Sequence, residues 1–347
     1  MKQKLKFGLV GAGGIAQAYA QAFENCESGE LVAIADIRPE AARALGERTG
    51  ARSYDSYQNM SEAEKLDAVI VCTPPASHPE VCLHFIERKL NVLCEKPFCI
   101  DSKSARMMIE AARKSNVLLT MASKFRYAED VVRAKSIILS GILGEIVLFE
   151  NAFTARVDMS SRWNSDYRVS GGGVLIDNGT HSVDIMRYFL GPLAEVRAVE
   201  GKRNQGLPVE ETVRLFVRSV GGVMGSIDLS WSIDKELESY INIYGSHGTV
   251  VVGWKQSKYR QSSSRDWVVF GNGYNKVQAF RSQIENFSKA IRREEMLRIT
   301  AEDALASVEA IEAAYAELHQ NHWTAVANEM VSLNPAVESY QLVGASV

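Results

Sequence analysis

The 347-residue chain carries 39 Lys and Arg against 42 Asp and Glu, a formal net charge of −3. Basic residues come in short pairs such as Arg292-Arg293 that read as solvated surface. Nothing in this balance points to nucleic acid or an anionic membrane. No apolar stretch approaches the roughly 18 residues of a membrane-spanning helix. The start, Met1 to Phe7, enters a strand pattern without the apolar core of a signal peptide, so a cytoplasmic location is expected. The five cysteines (Cys26, Cys72, Cys82, Cys94 and Cys99) lack any Cys-x-x-Cys spacing. No metal site is expected from them. Cys72 and Cys94 sit in apolar runs, where buried structural thiols are the ordinary case. Repeats and low-complexity segments are absent. What remains is an ordinary soluble composition, 46% hydrophobic and 23% charged, long enough for two domains.

The N-terminal stretch is more specific. Leu5 to Val10 reads as a strand and runs into Gly11-Ala12-Gly13-Gly14-Ile15-Ala16. A helical pattern follows, then a second strand, Leu31 to Ala35, that ends on Asp36. In this order, glycines, helix and acid form a dinucleotide-binding fingerprint. Gly11 permits the tight turn, Gly13 and Gly14 let backbone N–H groups approach a pyrophosphate, and Ala16 packs helix on strand. The start of the helix at Ile15 favours phosphate charge. Asp36 suits ribose hydroxyls and favours NAD. Arg38, two residues on, is either a contact for the extra phosphate of NADP or a surface arginine, which leaves NADP open.

Strand and helix patterns then alternate. Leu66 to Cys72 is a strand broken by Thr73-Pro74-Pro75, and Ser77 with Glu80 matches a capping box for a helix reaching Lys89. Thr73, Pro74, Pro75 and His78 thus leave the carboxyl end of a central strand, where such sheets bind ligands. His78 there reads either as a cofactor contact or as a plain helix-start histidine. Asn91 to Cys94 leads into Glu95-Lys96-Pro97 at the same edge. Lys96 faces either a ligand or a nearby acid, because a lysine is costly to bury unpaired. A helix over Ser102 to Ser115 and a strand over Val117 to Ala122 close a first, parallel α/β half at residue 123.

From residue 124 the pattern changes. After a helix over Ala128 to Ser140, strand candidates follow one another: Glu145 to Val157, Ala194 to Lys202, Glu211 to Val220, Val223 to Trp231, Glu238 to Tyr244 and Thr249 to Gly253. Short turns and period-two alternation predict an open, mostly antiparallel sheet. One face would pack on helices and the other would suit a second copy of the chain. Two late helices, Val277 to Arg293 and Glu302 to His319, are expected to brace this half. Residues 321–347 read as a weakly structured tail, of which Ala336 to Val347 are expected to reach a neighbouring subunit.

One helix, Val174 to Leu190, interrupts the strands. It follows Gly171-Gly172-Gly173 and carries Asp177 and His181 four residues apart, on one face. A carboxylate beside an imidazole suits a general base and the group that orients it. Asp184, three residues past His181, offers a second orienting group. Trp163, Tyr167 and Arg168 in the preceding loop either line a polyol pocket or are exposed loop residues.

Taken together, Gly11 to Ala16, Cys72-Thr73-Pro74-Pro75, Glu95-Lys96-Pro97 and Gly171 through Asp177 to His181 resemble the glucose–fructose oxidoreductase/inositol dehydrogenase (Gfo/Idh/MocA) family. The resemblance implies a Rossmann domain (1–123) and an α+β domain for substrate and oligomerisation (124–347). It implies an NAD(P)-dependent enzyme acting on a sugar or cyclitol, with Lys96, Asp177 and His181 as its catalytic set and Glu95-Lys96-Pro97 against the nicotinamide. It also implies a homodimer or homotetramer built through the open sheet. Ser123-Lys124-Phe125-Arg126-Tyr127 departs from the family's usual paired arginines, or asparagine before arginine, after the sixth strand. Arg126 is nonetheless expected to reach substrate. Two alternatives use the same fold: an NAD-dependent glycosidase with transient redox, and a non-catalytic nucleotide sensor.

Overall fold

A computed structural model describes residues 3–320 and Trp323. The first half is a six-stranded sheet in the order β3-β2-β1-β4-β5-β6, paired in parallel throughout. Its strands are β1 (Leu5–Val10), β2 (Gly29–Ala35), β3 (Arg52–Tyr54), β4 (Ala68–Val71), β5 (Asn91–Glu95) and β6 (Leu119–Ala122). The helices are α1 (Gly14–Glu24), α2 (Pro39–Thr49), α3 (Tyr57–Ala63), α4 (His78–Glu87) and α5 (Ser102–Ser115). β4 is buried along its whole length, as a strand covered on both faces must be. The sequence pattern does not reveal β3 or α3; at three and seven residues both are too short for periodicity to show. The expected capping box at Ser77 does not form. Ser77 donates instead to Thr73 Oγ1 and the Pro74 carbonyl, and Glu80 accepts from Tyr57.

After α6 (Glu129–Leu139), the second half is an eight-stranded sheet, β14-β13-β12-β11-β7-β10-β9-β8. The strands are β7 (Ile146–Thr154), β8 (Leu193–Glu200), β9 (Thr212–Ser219), β10 (Met224–Ser230), β11 (Ser239–Gly245), β12 (Gly248–Gly253), β13 (Ser257–Gln261) and β14 (Val268–Gly271). Pairing is antiparallel except between β7 and β10. β13 and β14 extend the expected sheet. β13 is polar and β14 only four residues long, so neither shows the alternation that marks the inner strands. α7 (Tyr167–Ser170) and α8 (Val174–Leu190) lie between β7 and β8. The inner sheet face, with Val213, Leu215, Ile227, Leu229, Phe149 and Ile243, packs on α8. The outer face keeps Phe216, Met224 and Tyr244 exposed among paired charges such as Arg214–Asp228 and Arg218–Glu195.

The two late helices do not simply brace the second half. α9 (Lys276–Ile291) lies on α1, with Phe280 edge-on to Tyr19 at 4.6 Å and Phe287 near Phe7. α10 (Ala301–Gln320) sends Ala304 and Val308 into the core of the first half and Ile311 and Ala314 into that of the second. Chain that left the nucleotide-binding half at residue 123 thus returns to complete it. The expected tail contact lies outside the described residues.

Candidate active site

The β1–α1 turn is shaped for a phosphate. Gly11 adopts φ +94°, and a Cβ there would lie 2.8 Å from the Cys72 carbonyl, so only glycine lets the β1 and β4 ends meet. A Cβ on Gly13 or Gly14 would point into open space. Gly13 precedes α1 as its cap and offers no side-chain hydrogen bond, which leaves the helix's first N–H groups to the opening. Asp36 closes the far side, accepting from Ala12 N–H at 2.7 Å and Arg38 N–H at 2.8 Å. Each carboxylate oxygen keeps acceptor capacity for a ribose hydroxyl. The Arg38 guanidinium stands 3.5 Å from Asp36 and is otherwise in solvent. Ile15 is half-buried under the turn. These residues fit a dinucleotide.

The opposite wall is built where β5 and β6 end. Lys96 follows β5 and reaches α8, donating to the Asp177 carboxylate at 2.5 Å and to its carbonyl at 3.1 Å. Glu95, by contrast, turns inward. It accepts from the Tyr19 hydroxyl at 2.8 Å, and burial pushes its carboxyl pKa up. His181 stands one turn beyond Asp177, 4% exposed, edge-on to Phe125 at 5.0 Å. Its Nε2 lies 3.4 Å from Lys124 Nζ, and its Nδ1 has no partner among the described residues. Burial, then the Lys124 and Lys96 charges, hold the imidazole pKa well below its usual value. The ring is neutral at physiological pH and able to accept a proton. Phe153, Tyr240, Trp254 and Tyr274 complete an aromatic wall around Phe125.

Several expectations need correction. Asp177 does not orient His181; its carboxylate belongs to Lys96. Asp184 does not touch the ring either. It pairs at 2.6 Å with Arg126, which also meets Asp303 at 3.3 Å. Arg126 is therefore buried in a structural ion-pair network instead of facing substrate, because a buried guanidinium needs its carboxylates. His78 is fully buried, with Nδ1 3.0 Å from the Pro97 carbonyl and Nε2 2.7 Å from that of Thr73. No polar atom of that ring is left for a cofactor. It ties the Thr73-Pro74-Pro75 turn to the Lys96-Pro97 turn. Trp163 and Tyr167 are exposed, and Arg168 pairs with Asp166 in solvent. α7 does touch the 75–77 turn, so their segment bridges the two halves beside the opening.

Two contributors escaped the sequence reading. Lys124 follows β6 just as Lys96 follows β5, so its position at the carboxyl edge was the available signal. Glu210 had none. Its buried carboxylate accepts from the Gly173 and Leu175 N–H groups and from Tyr315 O–H at 2.8 Å. It thereby caps α8 from outside the helix. A Cβ on Gly173 would lie 2.1 Å from the Glu210 carbonyl, and one on Gly172 would overlap the Tyr315 hydroxyl. The glycine run is thus required for close packing and is not a loose entry.

Residues 5–123 match the family model described as "Oxidoreductase family, NAD-binding Rossmann fold", and residues 131–251 match "GFO/IDH/MocA C-terminal domain". The chain belongs to the Gfo/Idh/MocA oxidoreductase family. It is 35% identical to D-glucoside 3-dehydrogenase of Escherichia coli (strain K12) over 61% of each chain. It is 24% identical to inositol 2-dehydrogenase of Rhizobium meliloti (strain 1021) over 93% of this chain and 99% of that protein. In fold it superposes on levoglucosan dehydrogenase, solved with NADH and levoglucosan, with a TM-score of 0.84 at 21% identity. That match covers 93% of this chain and 99% of the other. As a family member this is an NAD-binding oxidoreductase. Among the described residues, no helix is long and apolar enough to cross a membrane.

Proposed function

We propose that this chain oxidises, reversibly, a secondary hydroxyl of a sugar or cyclitol. What supports the reading is that a buried imidazole stands one helical turn from the Lys96–Asp177 pair, in a family whose named relatives include a glucoside 3-dehydrogenase and an inositol 2-dehydrogenase. Gly11, Gly13, Gly14 and Asp36 would hold the dinucleotide, with Thr73, Pro74 and Pro75 beside them. NAD, when bound, supplies a nicotinamide ring that takes hydride. His181 Nε2 takes the hydroxyl proton. Lys96 is fixed by Asp177, and its remaining N–H stabilises charge developing on the substrate oxygen. The exposed Trp163 and Tyr167 sit where they could line the entrance.

The test is a screen of inositols, aldoses, glycosides, amino sugars and nucleotide sugars with NAD and with NADP, followed at the reduced-nicotinamide absorbance. Steady reduction with one polyol class supports the reading. Glycoside cleavage without net reduction, or cofactor binding with no turnover across the panel, overturns it. We further propose that the outer sheet face, with Phe216, Met224 and Tyr244, joins two or four copies. Sedimentation that gives a monomer at micromolar concentration removes that proposal.

A further inference from the structure

Lys124 has no place in the scheme above, yet it is the nearest polar neighbour of the proposed base. Its Nζ lies 3.4 Å from His181 Nε2 and close over the rings of Phe125 and Phe280. An ammonium carries hydrogens and no lone pair, so it can only donate. Nε2 must then be the acceptor, and the ring hydrogen sits on Nδ1. The alternative tautomer would set an N–H against an ammonium. Asp177 and Asp184, the carboxylates of the same helix, are committed to Lys96 and Arg126. Among the described residues, no other side chain is hydrogen-bonded to the ring.

We propose that Lys124 is a positioning residue that holds His181 in its Nδ1–H tautomer, its ammonium donating to the Nε2 lone pair until a substrate hydroxyl takes that place. In many histidine bases a carboxylate at Nδ1 fixes the tautomer; here a cation at Nε2 fixes the same tautomer from the other side of the ring. The proposal rests on the functional reading only for what the lone pair is used for. Lys124 faces Glu95 and Lys96 from the end of β5, Asp177 and His181 from α8, and Lys276 from the start of α9. Burial and the Lys96 charge bring its pKa down to about 8, so it is mostly charged at neutral pH and loses its donor charge on mild alkalinisation.

The test reads the ring directly. Full-length protein with ¹⁵N-labelled histidine, without substrate, is titrated from about pH 5.5 to 9, and the His181 signals are assigned by their loss in His181→Asn. Expected in the native chain are a protonated Nδ1 and a bare Nε2, with no titration near the ordinary value of 6.5. Lys124→Met should mix the tautomers toward Nε2–H and move protonation upward; Lys124→Arg should retain the native tautomer at least in part. An Nε2–H ring in the native chain, or an unchanged ring in Lys124→Met, overturns the proposal. If Lys124→Met does not fold, the native spectrum and Lys124→Gln still decide it. With an active substrate, Lys124→Met should lower kcat, by less than the roughly 10²–10⁴ expected for an acid–base group itself, with KM little changed. A native chain that oxidises no sugar sinks the functional reading yet leaves the spectral result standing.

Discussion

The turn Lys124–Tyr127 and helix α8 meet at two buried charge clusters that differ in how fully they are paired. On one side Arg126 meets Asp184 and Asp303, and Arg187 approaches Asp303 at 3.6 Å. On the other, two residues back along the turn and one turn back along the helix, Lys124 meets His181, whose second nitrogen has no partner among the described residues. The first cluster neutralises itself and closes the joint between the halves. The second places two ammonium groups beside one neutral base, with a single carboxylate committed to one of them. Charges that satisfy one another hold structure; polar groups left incomplete await a ligand. The same two elements supply both kinds, and their residue types alone do not tell which is which.

The sharpest way to test this contrast is to remove His181. His181→Ala should lower turnover by about 10²–10⁴, the usual scale for an acid–base group, and Lys96→Ala by a comparable factor. Some stability should be lost as well, since the ring is buried against Phe125 and contacts Lys124, so turnover is compared per folded protein. Full activity in either variant, with the site structure intact, would remove that residue from its role.

Arg126→Met should behave in the opposite sense. It strands the Asp184 carboxylate, which is fully buried, and breaking a buried pair of this kind costs about 3–5 kcal/mol. The expected readout is a large fall in Tm, with kcat of the surviving folded fraction close to native. Arg126→Met combined with Asp184→Asn should recover much of the loss, because the stranded charge is gone. A variant of native stability but lost turnover would return Arg126 to the substrate site, where the sequence alone had placed it.

That misplacement shows where sequence reading stops. The parallel half was legible because glycines, strands and Asp36 stand in a fixed order that only one architecture uses. α8 was legible to the residue, Val174 to Leu190, from its glycine entry and apolar stripe. Lys96 stood out from its place at the carboxyl end of β5, and His181 from its four-residue spacing to Asp177, which the structure pairs with Lys96. Partner assignments failed. Asp177 and Asp184 both lie within a turn of His181, and helical spacing says they are near without saying where they point. Their partners, Lys96 and Arg126, come from 81 and 58 residues away. Glu210 and α9 failed for the same reason: a contact across such distances leaves no local pattern.

Acid should distinguish the clusters more gently. Burial and the nearby lysines lower the folded pKa of His181, whereas the unfolded residue titrates near 6.5. Between those values the unfolded chain binds the extra proton. Stability owed to this residue is therefore complete above about pH 6.5 and is lost as pH falls below it. The native Tm should drop more than that of His181→Asn over this range. The acidic limb of kcat/KM should lie below 6.5, because the free base stays unprotonated there. An acidic limb at or above 6.5 would mean that the imidazole is solvated and Lys124 does not act on it.

The smallest effect is expected at the coenzyme end, where pairing is weakest. Arg38 meets Asp36 at 3.5 Å with its side chain 62% exposed, a geometry in which an ion pair contributes about 0–1 kcal/mol. Asp36 remains fixed by the Ala12 and Arg38 backbone N–H groups whatever side chain stands at 38. Arg38→Ala should accordingly leave KM for NAD within about threefold and Tm nearly unmoved. The decisive measurement is the same variant with NADP. If the chain works mainly with NAD, the loss there is equally slight. A rise of tenfold or more in KM for NADP would show that Arg38 grips the additional phosphate, and that the Asp36 carboxylate, already occupied by two backbone donors, does not repel it.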